Sequence, residues 1–316
     1  MKILEITMVV MCAACSIQVE AQSFPSKPIK WIVPFVPGGP ADSAARVIAP
    51  RFSERIGQPV VLETRAGASG NIGADAVLKS PPDGYTILYA ISGMATNPAS
   101  VKGSPDPLEF TPISFLMSNG FVMLASNAFG PSTFPDVLAA IRSKPGSISC
   151  ASSGALPTVG CELLRAYAKA DMIMVLYKGN GPAMTALMGG EVNILFDAVY
   201  MALPQVKAGK VKAVAALSPK REGFGFPELA TAAETFPDMW FEGWHGALGP
   251  AGMPRDVVAR MNREFDAVMK SPDLIKLFAA QGFSIVGGPP ENFSNRIRND
   301  LQKFNKVLSE AGIKPE

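Results

Sequence analysis

The stretch that most constrains this chain is Trp31–Ile56, WIVPFVPGGPADSAARVIAPRFSERI. It reads as a short buried strand, a Pro/Gly turn and an amphipathic helix. The helix shows apolar residues at Ala41, Ala44, Ala45, Ile48 and Phe52, which is helical spacing with one buried stripe. Gly57 follows as a C-terminal glycine. The turn Pro37-Gly38-Gly39-Pro40 brings bare backbone close to whatever lies in front of it, since glycine has no Cβ to hold a neighbour away. Unpaired N–H groups and the positive end of the helix dipole face the same point, so the stretch is an anion site by construction. Asp42 lies in the first turn, where a carboxylate complements the dipole. A structural role suits Asp42 better than a catalytic one.

The same grammar repeats along the chain. Val60–Thr64, Tyr85–Ala90, Phe121–Ser126, Ser147–Ala151, Met174–Tyr177, Val192–Phe196 and Val211–Ala216 read as strands, with helical patterns between most of them. Alternation of this kind predicts an α/β chain with doubly wound, mostly parallel sheets, whose ligands bind at the carboxyl ends of strands. Ser92 and Asn97 follow one such end. Ser152-Ser153-Gly154-Ala155-Leu156-Pro157-Thr158 follows another and enters a helix, where hydroxyls and free N–H groups suit a carboxylate; N-capping by Thr158 is the plainer alternative. Asp197 stands just past an apolar run, either as a cap or as a group that orients a ligand. From about Asn127 the pattern starts afresh, and Met239–Leu248 reads as a strand returning to the first half. The expected division is a first lobe of residues 22–126 plus 243–316 and a second lobe of 127–242, joined by two crossings that form a hinge.

Residues 1–21 look like a secretory signal: Lys2, an apolar run Ile6–Ile17, then Val19-Glu20-Ala21 as the cleavage site. The run is about a dozen residues, whereas a bilayer span takes about 20. Cys15 follows Ala13-Ala14, but Cys12 stands where a lipobox wants an aliphatic residue, so lipidation is not favoured. Cleavage leaves Cys150 and Cys161, which either pair in an oxidising compartment or serve as two small buried hydrophobes. The expected location is the periplasm.

Several chemistries lack their residues. No G-x-S-x-G elbow is present, and the single histidine, His245, leaves little for a Ser-His mechanism. One His and two Cys do not furnish an ordinary zinc site, and there is no Walker loop. The formal charge of +2 comes without a Lys/Arg cluster, which argues against nucleic acid. These absences favour binding over catalysis, with no cofactor and no metal. His245 beside Trp244 reads as a packed hinge residue.

An ordered set of segments carries a resemblance: Pro28–Asp42 (PIKWIVPFVPGGPAD), Gly70–Asp75 (GNIGAD), Pro82–Thr86 (PDGYT), Ala151–Gly154 (ASSG), Tyr177–Ala183 (YKGNGPA), Leu195–Asp197 (LFD) and Pro204–Ala213 (PQVKAGKVKA). Together they resemble the Bug family, the extracytoplasmic solute receptors of tripartite tricarboxylate transporters. The resemblance implies a two-lobed, periplasmic-binding-protein-like fold that closes on a small carboxylate-bearing solute. It further implies a monomer that is not an enzyme and that delivers its solute to the membrane permease subunits. It maps the first-lobe loop onto Phe35, Pro37, Gly38, Gly39, Ala41, Asp42 and Ser43. The second-lobe loop maps onto Ser152, Ser153, Gly154 and Thr158, with Asp197 as a distal selector; Ser92, read from its place past a strand end, joins Asp197 at the far end. The chain departs from the family pattern at Cys150-Ala151, Leu156-Pro157 and Gly160, where the family shows Tyr-Gly, Gly-Ser and His. Two other classes stay open beside this one: a component that presents its ligand to a sensor, and a hydrolase on the same scaffold using Asp197.

Overall fold

The computed structural model describes residues 24–221 and 225–315. The expected signal segment 1–21, with Cys12 and Cys15, lies outside the described residues.

One strand runs through both halves of the molecule. β4, Thr111–Ser126, is 16 residues long and buried over nearly all of its length. The sequence pattern suggested a strand only from Phe121. Pro112 lacks an N–H for the ladder, and register shifts after Pro112 and after Phe115 let the strand continue past it. The first half of β4 pairs antiparallel with β9 (Glu242–Gly249) and with β10 (Phe283–Ile285). Its second half pairs antiparallel with β7 (Ile194–Ala198) and β8 (Val211–Ala216). Outward from β9 lie β3 (Thr86–Ile91), β1 (Ile29–Val33) and β2 (Val60–Thr64). Outward from β7 lie β5 (Ser149–Ser152) and β6 (Ile173–Leu176). Each sheet thus has a parallel outer half and an antiparallel junction at β4, giving the two-lobed α/β architecture.

Strand directions place the loops. β3 is antiparallel to β9 and β9 to β4, so β3 and its parallel neighbour β1 run the same way as β4. β7 is antiparallel to β4, so β7, β5 and β6 run the opposite way. The carboxyl ends of the two parallel sets therefore point toward each other. Through the ladder, Ile91 at the end of β3 aligns with His245 and Met117, while Ala198 at the end of β7 aligns with Phe121. Four residues of strand separate these positions on β4, about 13 Å at 3.3 Å per residue. Met117–Phe121 is the floor between two opposed sets of loops.

Three helices, beginning at Pro40, Ala155 and Asn180, supply the N-termini used at the site. α1 (Pro40–Ile56) begins on Pro40, which gives up no hydrogen bond at that position. It ends on Gly57 at φ +83°, whose N–H returns to the Ser53 carbonyl. Its apolar stripe packs on the first sheet, where Trp31 meets Phe52, Tyr89 and Phe265 at ring separations of 5.2–6.4 Å. α2 (Asn71–Leu78) follows β2, and α3 (Asn97–Ser100) follows β3. In the second sheet come α4 (Phe134–Ser143), α5 (Ala155–Ala168), α6 (Asn180–Gly189) and α7 (Val199–Lys207). α8 (Arg255–Met269), α9 (Pro272–Ala280) and α10 (Pro290–Glu310) then cover the first sheet. The helical spacing of Phe293, Ile297, Leu301, Phe304 and Leu308 predicts one apolar stripe on α10. The structure buries all but Leu301, which is partly exposed, and also buries Asp300, which accepts from Trp244 Nε1 at 2.9 Å and Arg296 Nε at 2.8 Å.

The lobes touch beside the shared strand. α10 packs on α5, and Tyr200 at the start of α7 stacks on Phe283 of β10 at 4.9 Å and 12°. His245 is buried, its Nδ1 2.8 Å from the Tyr89 hydroxyl and its ring edge-on to Phe283, and burial pushes its pKa down to about 3. It is a neutral packing residue. Cys150 and Cys161 form a disulfide with Cα atoms 6.0 Å apart.

The junction is close-packed enough to test. A Cβ on Gly246 would lie 2.3 Å from the Phe293 ring and 2.8 Å from the Ser114 carbonyl oxygen, which is backbone and cannot yield. Gly246→Ala is expected to destabilise the protein by about 1–3 kcal/mol, the usual cost of overpacking, read as a lower denaturation midpoint at unchanged slope.

Candidate functional site

The first loop leaves β1 at Val33 and enters α1 at Pro40. Phe35 is half-buried against Gly70, Pro37 and Gly38 are exposed, and Gly39 is partly covered. Gly38 takes φ +79°, a conformation that favours glycine. Gly39 is the extended N-cap residue, its N–H 3.3 Å from the Val36 carbonyl. Its carbonyl accepts from Ser43 N–H at 2.9 Å, the first bond of the helix. The N–H groups of Ala41 and Asp42 precede that bond and find no acceptor among the described residues. Asp42 is 2 % exposed. Its Oδ2 accepts from Gly38 N–H at 2.9 Å and from Arg46 Nε at 2.7 Å, while Oδ1 is sealed without a partner. Hydrogen bonds from Arg46 and Gly38 hold its pKa below the ordinary carboxylate value. Asp42 braces the turn from behind, and Gly38 N–H is spent on that brace.

The second loop leaves β5 at Ser152 and enters α5 at Ala155. Ser152 and Ser153 are buried, Gly154 is exposed, and Thr158 is partly exposed. Thr158 Oγ1 donates to the Gly154 carbonyl at 2.9 Å and lies 2.5 Å from Ser152 Oγ, which therefore donates to it. Thr158 N–H donates to Gly154 O at 3.0 Å, leaving Ala155 and Leu156 N–H groups without an acceptor among the described residues. Thr158 stitches the loop to its helix without serving as the N-cap, which is Gly154. Ser153 Oγ is buried with no partner, an uncommon state for a buried hydroxyl.

Asp197 is at 0 % exposure in β7, two residues beyond Leu195, which pairs with Ala151 of the neighbouring strand β5. Asn180 Nδ2 and Ala198 N–H, the latter at 2.8 Å, both donate to Oδ1, while Oδ2 is sealed and unpartnered. Burial pushes its pKa up to about 7 against those two hydrogen bonds. Tyr200, three residues on, is shifted upward by its own burial and by the charge of Asp197. Asn180, the first residue of α6, is partly exposed. It lies within the Tyr177–Ala183 segment, directly after Gly179 at a helix start following a strand, but nothing in the sequence pairs its side chain with Asp197.

Ser92 is buried just past β3 in a single 3₁₀ turn. Asn97, a candidate cleft residue from its position, is instead committed to the loop behind, donating to the Ser69 carbonyl at 3.1 Å and to Asn71 Oδ1 at 3.0 Å. Topology brings 35–43 and Ser92 to one side of the β4 floor and 152–158 and Asp197 to the other. Among the described residues no hydrogen bond or ion pair links the two loops, and no cluster of three or more metal-ligating side chains is present. No described helix is long and apolar enough to cross a membrane.

Comparison with known proteins gives the class. The family model of the tripartite tricarboxylate transporter family receptor, TctC, matches residues 44–313. A Pseudomonas protein, the UPF0065 protein in the tcbD-tcbE intergenic region, is 34 % identical over 91 % of this chain and 87 % of its own length. Protein BugT of Bordetella pertussis is 31 % identical over 96 % and 94 %. Among solved structures, Rhodopseudomonas palustris Rpa4515 with adipate superposes with a TM-score of 0.80 at 27 % identity, covering 93 % of this chain and all of the other. MatC of the same organism with bound malate gives 0.75 at 27 % identity, covering 90 % of this chain and all of the other. The chain belongs to the TctC family of solute-binding receptors. Its neighbours are receptors, not enzymes.

Two predictions follow from the geometry. If backbone approach carries the first loop, Gly39→Val, whose Cβ would lie 3.3 Å from the Val36 carbonyl, weakens carboxylate binding more than about tenfold. Asp42→Ala loosens the turn and lowers the melting temperature, but costs less affinity; calorimetry on both variants gives the ranking. For Asp197, the folded protein holds the proton to a higher pH than an unfolded chain does. The stability contributed by the neutral carboxyl is full below the ordinary 3.8 and is lost as pH rises through about 7. Asp197→Asn, which cannot ionise, is expected to raise the melting temperature at pH 8 and leave it nearly unchanged at pH 4.

Proposed function

We propose that this protein is a periplasmic, monomeric receptor that captures a small carboxylate-bearing solute between its lobes and delivers it to the membrane permease of a tripartite tricarboxylate-type transporter. The lobes are taken as residues 22–126 with 243–316, and residues 127–242. The observation that carries the reading is the opposition of two helix N-termini across the β4 floor. Among the described residues, the Ala41 and Asp42 N–H groups have no acceptor on one side, nor the Ala155 and Leu156 N–H groups on the other. None of the candidate side chains is basic. The carboxylate is therefore held by backbone N–H groups, dipoles and the hydroxyls of Ser43, Ser153 and Ser92.

Such a site suits a carrier. Closure desolvates the carboxylate and strengthens each N–H bond, and reopening restores water without breaking a buried Arg–carboxylate pair. A ligand that touches both loops binds the closed form better and shifts the population toward it. The adipate and malate bound to the two R. palustris relatives support a carboxylate as the cargo class here.

Calorimetric titration with a panel of C2–C8 mono- and dicarboxylates tests the reading. At least one member is expected to bind with a dissociation constant in the micromolar range or tighter. No heat from any of them overturns it.

A further inference from the structure

The second loop is covalently closed. Cys150 is the second residue of β5, register-paired with Met174 and Ile194; Cys161 lies two turns into α5; and the two are 1 % and 3 % exposed. Ser152, Ser153, Gly154 and Thr158 all fall inside the ring this bond makes. Just before Cys161, Gly160 lies so close to β7 that a Cβ would stand 2.5 Å from the Phe196 ring. The bond pins α5 where that close approach holds it.

The two loops are braced by different means. In the first, the Asp42 carboxylate ties Gly38 N–H to Arg46. The second has no acidic residue in the first turn of α5 and no side-chain cap at Gly154. It also leaves Ser153 Oγ buried without a partner. Among the described residues, its polar restraints reduce to Thr158 and to the bond from Tyr177 N–H to the Ser152 carbonyl at 2.8 Å.

We propose that the Cys150–Cys161 disulfide is a positioning element of the ligand site. It holds the α5 N-terminus and the loop hydroxyls in their receiving arrangement before the solute arrives, so that binding orders less chain. This rests on the receptor reading above. By linkage, a bound carboxylate in turn protects the disulfide by the same factor that the disulfide adds to affinity.

The test compares wild type with Cys150→Ala/Cys161→Ala, both stripped of ligand. Hydrogen exchange without ligand is expected to quicken about tenfold in residues 152–158 and not in 35–43, because only the former loses its covalent closure. Affinity for adipate and for malate, titrated separately, is expected to fall about tenfold. Exchange that rises no more in 152–158 than elsewhere, or an unchanged affinity beside a lower melting temperature, overturns the proposal and leaves the bond a plain stabiliser. If neither probe binds the wild type, the choice of these carboxylates fails while the exchange comparison still decides the positioning role. Should the variant not fold, the wild type is equilibrated with graded ratios of a reduced to an oxidised dithiol, one dithiol being oxidised to its disulfide for each protein disulfide reduced to two thiols. Saturating adipate or malate, whichever binds, is expected to raise about tenfold the ratio at which half the protein disulfide is reduced, and an unchanged midpoint overturns the proposal.

Discussion

Both sheets depend on the backbone ladder of a single strand. β4 gives its first half to β9 and β10 and its second half to β7 and β8, so one continuous strand ties the two lobes together. Because the strand is continuous, the directions of all the others follow from antiparallel pairing at its edges. The carboxyl ends of β1 and β3 and those of β5, β6 and β7 are thereby made to face each other. A cleft between helix N-termini is a consequence of that arithmetic of directions.

Each loop facing the cleft then meets the same physical problem. A helix start leaves N–H groups unsatisfied, and the turns that lead into them must be held still if the groups are to converge on a ligand. The first loop is held by a buried carboxylate that consumes one N–H and leaves two without an acceptor among the described residues. The second is held by hydroxyl stitching and a disulfide. Asp197 works deeper. With its Oδ1 shared between Asn180 and Ala198 and its Oδ2 sealed, it sets the orientation of the Asn180 amide, the part of the pair nearest solvent.

Much of this was legible in the chain. The strand–turn–helix at Trp31–Ile56 announced itself through Gly38-Gly39, Pro40 and the terminal Gly57, because backbone demands of that kind leave few residue choices. The α10 stripe was equally plain, since Phe293, Ile297, Leu301, Phe304 and Leu308 repeat at helical spacing, though Leu301 stays partly exposed. The early part of β4 was not, because Pro112 argues against a strand and only the observed register shifts absorb it. Nor was the pairing of Cys150 with Cys161, which depends on how tightly α5 closes on its strand. Asp42 read correctly as a dipole partner, but its grip on Gly38 N–H is a through-space fact that no periodicity encodes. The same holds for Asp197, whose full burial and bond from Asn180 depend on packing between elements 17 residues apart.

A crystal structure of the protein with the carboxylate that co-purifies with it would address the backbone-anchored clamp most directly. Carboxylate oxygens within hydrogen-bond distance of the Ala41 or Asp42 N–H groups on one side, and of the Ala155 or Leu156 N–H groups on the other, are expected. A carboxylate held by Lys or Arg side chains, with those four N–H groups pointing at nothing, would contradict it.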